Sequence, residues 1–195
     1  MKISASILAI KDKDVFEALE TNRKKYDLVH VDIGDNVFCP TFGIEYETLY
    51  RLCNEYDYLI DIHFMIQDPK TIKNKIKDLR ITNITVHFES TTLEVFEYMK
   101  SDRYTLGIGV LSETNLSDIS DFIDITDSVL LLCVNPGYSY QKPTVSPIDR
   151  VKEFIQMYPN FKGEISVDGG VSNELLPQLR ALNIDIAVQG GAIFA

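Results

Sequence analysis

Short runs of β-branched and other apolar residues alternate along the whole chain with longer segments whose apolar positions recur at helical spacing. The short runs predict buried strands, and the longer segments predict amphipathic helices that cover them. The predicted strands are Lys2–Leu8, Asp27–Ile33, Tyr58–Met65, Ile81–His87, Thr105–Leu111, Ser128–Val134, Glu164–Asp168 and Asp185–Gln189. The predicted helices cover Asp12–Lys25, a segment that starts at Asp68-Pro69, and Thr91–Lys100, Leu116–Ile123, Pro147–Tyr158 and Ser172–Leu182.

Eight strand–helix repeats without a break in composition favour one (β/α)8 TIM barrel, spanning residues 1–195, over an open doubly wound sheet. Ser172 is expected to be the N-cap of the last predicted helix, with Glu174 in its first turn. Ala195 follows the eighth strand closely, so an eighth helix is expected to be short or missing. A contact between subunits of a homo-oligomer is one way to cover that flank of the barrel.

Charge and composition narrow the choice of partners. The formal net charge of −10 and the pI near 4.7 argue against nucleic acid or an anionic membrane surface as the main partner. The three cysteines form no CxxC pair, the N-terminus shows no secretory leader, and no apolar run approaches the roughly 20 residues that span a bilayer. A cytoplasmic location with reduced thiols and a small-molecule substrate is therefore expected.

Histidine and aspartate interrupt the buried strand LVHVDIGDN at residues 28–36. Strand alternation places His30 and Asp32 on one face, where both are costly to bury without a partner. His63 and Asp168 stand near the ends of two other predicted strands, and the strand ends of such a barrel carry its active site. Two imidazoles and two carboxylates that converge from three strands predict a divalent metal site.

Glycine turns follow three successive predicted strands near the end of the chain. Asn135-Pro136-Gly137, Gly169-Gly170 and Gly190-Gly191 each expose backbone N–H groups at the same end of the barrel. Tight turns need glycine in any case, but the loops after strands seven and eight of such barrels often bind phosphate. Three such turns on neighbouring strands favour a phosphate-binding site.

Seven motifs occur together in this chain: SASIL (4–8), HVDIGDN followed by F-C-P (30–40), DIHFMIQDP (61–69), TVHFE (85–89), VNPG with Gln141 (134–141), VDGGV (167–171) and GGAIF (190–194). In this order and on these strands, the set resembles the ribulose-phosphate 3-epimerases and related ketose-phosphate 3-epimerases over nearly the whole chain. The resemblance implies a metal-dependent isomerase that interconverts D-ribulose 5-phosphate and D-xylulose 5-phosphate through an enediolate.

Functional residues follow from the same resemblance. It implies one divalent cation, either zinc, iron, manganese or cobalt, held by His30, Asp32, His63 and Asp168. It also implies that Asp32 and Asp168 exchange protons with C3 of the substrate. The implied contacts to the sugar phosphate are Ser6, His63, Met65, Gly137, Ser139, Gly169, Gly170, Gly190 and Gly191.

Several positions depart from the family pattern. Gly34 and Leu132 stand where the family usually has methionine, and the smaller Gly34 is expected to enlarge or loosen the pocket. Ser139 and Tyr140 replace two glycines, which is expected to stiffen or reshape a phosphate-contacting loop, and Gly191 replaces a small hydroxyl residue. These changes keep open a different substrate, such as a six-carbon ketose 6-phosphate or a sugar without phosphate.

Two further readings compete with the epimerase. Decarboxylases and aldolases of similar shape use an Asp-x-Lys-x-x-Asp cluster, but Gly34 stands where that lysine would be. A barrel that binds sugar phosphate without catalysis is opposed by the presence of every expected ligand and both carboxylates. The role of His87 stays open between orienting a ligand or substrate and packing in the core.

Overall fold

The computed structural model describes residues 1–195, and eight parallel strands form a closed barrel in it. Each strand pairs with the next in sequence, and the eighth pairs with the first. The strands are Lys2–Ser6 (β1), Leu28–Gly34 (β2), Ile60–Met65 (β3), Asn83–His87 (β4), Thr105–Val110 (β5), Ser128–Leu132 (β6), Glu164–Asp168 (β7) and Ile186–Gln189 (β8). The predicted barrel is confirmed, and the predicted strands differ from these only at their ends.

Both faces of the barrel wall are covered, which explains why the strands read as nearly continuous apolar runs. In β2, Val29, Val31 and Ile33 belong to the core between the barrel and its helices. His30 and Asp32 alternate with them and are also buried, on the face toward the barrel axis. The barrel interior therefore holds the polar side chains that alternation predicted.

Eight α-helices surround the barrel, several of them only one turn long. They are Val15–Thr21 (α1), Tyr46–Glu55 (α2), Lys73–Ile76 (α3), Leu93–Met99 (α4), Ser120–Ile123 (α5), Pro147–Met157 (α6), Leu176–Ala181 (α7) and Gly191–Phe194 (α8). Short 3-10 turns precede α3 and α5. The last helix has four residues, so the expectation of a short eighth helix is confirmed. None of the helices combines the length and the apolar character needed to cross a membrane.

Helix boundaries are where the predictions were wrong. The predicted helix Asp12–Lys25 is too long, because Asp14 accepts hydrogen bonds from two N–H groups of the first turn and α1 ends at Thr21. Ser172 is not an N-cap. The N–H of Leu175 donates to the carbonyl of Ser172 in a separate turn, and α7 begins only at Leu176.

Helix α2 was not among the helices predicted with bounds. Its first turn follows the loop after β2, and charged residues occupy most of its outer face. The signal was present, however, because Leu49, Leu52 and Cys53 lie at helical spacing and are buried against the barrel. The polar composition of this segment explains why the helix was not predicted. Packing of its one apolar stripe is nevertheless sufficient to stabilise it.

Phe154 shows how the helices are fixed to the barrel. Its side chain is fully buried on α6, and its ring meets that of Phe161 edge-on at a centroid distance of 5.4 Å. We expect Phe154→Ala to lower the free energy of unfolding by about 3–5 kcal/mol, because it leaves a cavity in a packed core. Gln156→Ala on the exposed face of the same helix is the control, with an expected change within about 0.5 kcal/mol. Urea unfolding measures both, and equal effects would contradict this packing.

Candidate active site and metal centre

Four side chains that can ligate a metal converge at the carboxyl ends of three strands. His30 and Asp32 come from β2, His63 from β3 and Asp168 from the end of β7. The register pairs Asp32 with His63, which brings these two side chains to the same height in the barrel. One ligand atom from each of the four residues lies within 4.8 Å of the other three.

His30 is held by a hydrogen bond on the side away from this cluster. Its Nδ1 lies 2.8 Å from Oδ2 of Asp61, which also accepts a hydrogen bond from Ser4. Burial opposes protonation of His30, but the carboxylates of Asp32 and Asp61 outweigh it and raise the pKa of this imidazole well above its ordinary value. The other nitrogen, Nε2, is buried without a hydrogen-bond partner and lies 3.9 Å from Asp168 Oδ2.

His63 presents its Nδ1 to the cluster, 3.1 Å from Oδ1 of Asp32. Its Nε2 lies 2.7 Å from Nε2 of His87, whose Nδ1 lies 3.1 Å from Oε2 of Glu89. His87 therefore contacts a predicted ligand and lies outside the cluster itself. Burial lowers the pKa of His87 to about 4, so this imidazole is neutral at neutral pH.

The two carboxylates of the cluster differ in their electrostatic surroundings. Burial alone would raise the pKa of Asp32, but His30 and His63 outweigh it and hold that pKa well below its ordinary value. Oδ2 of Asp32 also accepts a hydrogen bond of 2.7 Å from Ser6. Burial raises the pKa of Asp168, and the negative charge of Asp32 raises it further. The surroundings therefore lower the pKa of Asp32 and raise that of Asp168.

A cavity of about 310 Å³ opens above this cluster at the mouth of the barrel. Asp32 and Asp168 lie in its wall, and the glycine turns after β6, β7 and β8 form its rim. The residues expected to contact substrate all line it: Ser6, His63, Met65, Gly137, Ser139, Gly169, Gly170, Gly190 and Gly191. The structure thus brings the whole predicted set to one concave surface.

The expectation that Gly34 enlarges the pocket was wrong. The loop after β2 folds back on the strand end, so that the N–H of Gly34 donates to the carbonyl of Phe42. A Cβ at Gly34 would lie 2.2 Å from the carbonyl oxygen of Thr41 and 2.6 Å from Sγ of Cys39. The space that a larger side chain would take is therefore filled by this loop.

Tyr140 closes the rim between the loop after β6 and the loop after β1. Its hydroxyl donates a hydrogen bond of 2.8 Å to the carbonyl of Ala9, and Nζ of Lys11 lies 4.2 Å from the centre of its ring. The ring packs so closely on Gly191 that a Cβ there would lie 2.8 Å from it. The backbone of Tyr140 is left-handed, with φ of 59°. This loop thus holds a tyrosine of left-handed backbone packed against a glycine turn.

The donor set fits a divalent cation. A buried imidazole nitrogen without a partner is costly, and His30 Nε2 has carboxylate oxygens on two sides. Two imidazole nitrogens and two carboxylate oxygens form a ligand set that zinc, iron, manganese and cobalt accept. Hydrogen bonds from the outer nitrogen of each imidazole to Asp61 and His87 orient the rings, as is usual for ligating histidines.

Comparison with known sequences identifies relatives along the full length. A model of the ribulose-phosphate 3 epimerase family matches residues 2–194. The ribulose-phosphate 3-epimerase of Aquifex aeolicus is 29% identical over 181 residues, which cover 89% of this chain and 80% of that protein. That of Helicobacter pylori strain J99 is 27% identical over 199 residues, which cover 100% of this chain and 91% of that protein.

Solved structures share the fold at much lower identity. Phosphoribosyl anthranilate isomerase from Thermus thermophilus has a TM-score of 0.71 and 15% identity, with 98% of this chain and 88% of that chain covered. The 3-hexulose-6-phosphate synthase from Salmonella typhimurium has a TM-score of 0.69 and 14% identity, with 99% and 90% covered. At this identity the likeness supports the barrel and says nothing about the reaction.

The fit of the loop after β2 can be tested at Gly34. We expect Gly34→Ala to lower the free energy of unfolding by about 1–3 kcal/mol, because the new methyl group meets a backbone oxygen that cannot move independently. The midpoint of urea unfolding measures the loss. An unchanged midpoint would show that the loop lies elsewhere and that the pocket is open at this position.

Proposed function

Because the chain belongs to the ribulose-phosphate 3-epimerase family, and is thus an epimerase, we propose that it interconverts D-ribulose 5-phosphate and D-xylulose 5-phosphate. Inversion at C3 requires removal of a proton from one face of the carbon and return of a proton to the other. The observation that carries this proposal is the pair Asp32 and Asp168, two carboxylates in the wall of one cavity whose pKa values are shifted in opposite directions. Two carboxylates that face one cavity can act as the base and the acid that this inversion requires.

We further propose that His30, Asp32, His63 and Asp168 hold one divalent cation, through Nε2 of the first histidine and Nδ1 of the second. When bound, such a cation polarises the carbonyl and hydroxyl oxygens of the substrate and so makes the proton at C3 more acidic. The choice among zinc, iron, manganese and cobalt depends on metal supply as well as on this ligand set.

The side chains divide the proton transfers between them. We assign the acceptance of the proton from C3 to Asp32, which Ser6 orients through a hydrogen bond to Oδ2. We assign delivery of a proton to the opposite face of the planar enediolate to Asp168, at the end of β7 in the wall of the same cavity. The reverse reaction exchanges these roles, so the substrate does not have to flip in the site between the two proton transfers.

The glycine rim is proposed to bind the phosphate group. Backbone N–H groups of the turns at Gly169-Gly170 and Gly190-Gly191 lie at the edge of the cavity, where they can donate to phosphate oxygens. The ring of Tyr140 packs on Gly191 and limits the cavity at this end.

Epimerisation by wild-type and Asp168→Asn protein tests the proposal. We expect metal-loaded wild type to convert ribulose 5-phosphate to xylulose 5-phosphate and to incorporate solvent deuterium at C3. Asp168→Asn should reduce the rate by on the order of 10²–10⁴-fold, because the amide cannot exchange the proton. Asp102→Asn, an exposed position away from the cavity, should retain full activity.

Other outcomes distinguish the alternatives. Turnover of a six-carbon ketose 6-phosphate without turnover of the pentulose phosphate would reject the proposed substrate and keep the epimerase chemistry. A folded Asp168→Asn protein that keeps wild-type activity would contradict the proposed role of Asp168 in proton transfer.

Metal binding is expected to depend on pH through His30. Because the pKa of this imidazole is raised, a proton occupies the cluster in the metal-free protein, and a cation must displace it. The affinity for zinc should therefore fall as the pH is lowered, by up to about tenfold per pH unit for each proton released. Calorimetry in buffers of different ionisation enthalpy counts the protons that are released when zinc binds. Zinc binding without proton release would contradict the expected protonation of His30 in the metal-free protein.

A further inference from the structure

A row of buried hydrogen bonds runs from His63 through His87 to the carboxylate of Glu89. His63 and His87 share one hydrogen between their Nε2 atoms, which lie 2.7 Å apart. Nδ1 of His87 lies 3.1 Å from Oε2 of Glu89. Oε1 of Glu89 accepts hydrogen bonds from the N–H of Leu111, at 3.0 Å, and from the hydroxyl of Thr114. Neither ring of the two histidines is accessible to solvent.

The direction of these hydrogen bonds can be deduced from their far end. The carboxylate of Glu89 receives two donors on Oε1, so it acts as an acceptor toward His87 as well. Nδ1 of His87 therefore carries its hydrogen, and Nε2 of the same neutral ring offers a lone pair. The shared hydrogen must then belong to Nε2 of His63. When a cation takes the place of the contact between Nδ1 of His63 and Oδ1 of Asp32, Nδ1 therefore carries the lone pair that faces the ligand cluster.

We propose that Glu89 is a positioning residue that, through His87, keeps Nδ1 of His63 available as a metal ligand. The inference rests on the proposed metal centre. If each hydrogen bond of the row ran in the opposite direction, Nδ1 of His63 would carry a hydrogen directed at the cluster. This ring could then no longer ligate a cation. In His30 a single hydrogen bond is enough to turn the inner nitrogen toward the cluster, because Asp61 accepts directly from the outer nitrogen.

The loop that fixes Glu89 is itself held by a buried cation. Arg150 of α6 donates from Nη2 to the carbonyl oxygens of Leu111 and Thr114, the same two residues whose donors meet Glu89. Only 7% of Arg150 is exposed, and it anchors the loop after β5 against the helix layer. The carboxylate of Glu89 is therefore set in one orientation before any ligand binds.

Glu89→Gln is the sharpest test of this direction. An amide has one oxygen and one NH₂ group, and the fixed N–H of Leu111 requires that the oxygen face the loop. The NH₂ group then faces Nδ1 of His87, which favours hydrogen on the opposite nitrogen and reverses the row. We expect the zinc affinity of the full chain, measured by competition with a chromophoric chelator, to fall about 10–100-fold. Glu113→Gln, exposed in the same loop as Thr114, should bind like wild type.

His87→Gln provides a rescue that a merely structural role would not predict. Its amide can donate NH₂ to Glu89 and accept from His63 with its oxygen, so the row keeps its direction without an imidazole. We expect this variant to retain most of the zinc affinity, whereas His87→Leu, which removes both hydrogen bonds, should lose about as much as Glu89→Gln.

Imidazole ¹H–¹⁵N correlation spectra of the zinc-loaded protein show which ring nitrogens carry hydrogen. The chain has three histidines, so there are few signals to assign. Wild type should show hydrogen on Nδ1 of His87 and on Nε2 of His63, and the opposite placement would overturn the proposal. Unchanged zinc affinity in folded Glu89→Gln would also overturn it. If wild type itself binds no zinc, the proposed metal centre fails and this inference fails with it. The wild-type titration therefore separates the two failures.

Discussion

Two carboxylates buried within a few ångströms of each other cannot both be charged unless positive charge lies between or beside them. The rest of this site follows from that constraint on Asp32 and Asp168. Two imidazoles approach the same point from neighbouring strands, and each is turned by a hydrogen bond on its far side so that a nitrogen faces inward. Barrel closure then fixes the distances, because β2, β3 and β7 cannot shift relative to one another without breaking the strand ladder.

Much of this site could be predicted because it depends on strand periodicity and chain order. Alternation in β2 assigns His30 and Asp32 to one face, and parallel strands end at one rim, which brings in His63 and Asp168. Asp61 was missed even though it lies two residues before His63, because its partner on β2 is known only once the register is known. Glu89 and Leu111 meet between two loops, and no local pattern predicts that contact.

The errors share a physical origin. The size of the pocket beside Gly34 depends on the path of a loop that folds back over it, and a missing side chain reveals nothing about that path. The end of α1 and the start of α7 depend on which carbonyl accepts the next N–H, a choice that competing turns decide by small energies. Barrels with very different reactions share the same overall architecture, so the particular side chains at the strand ends distinguish this chain from them.

The left-handed backbone of Tyr140 shows how strain at the mouth of the barrel is compensated. A tyrosine in this conformation costs about 1–2 kcal/mol relative to an ordinary one. Its hydrogen bond to Ala9 returns about 0.5–1.5 kcal/mol, and its contact with Lys11 about 0.5–1 kcal/mol at an exposed site. These contributions nearly cancel, so a left-handed tyrosine is tolerated here at little net cost. Its position therefore depends on contacts with the loop after β1 and with Gly191, and not on the preference of its own backbone.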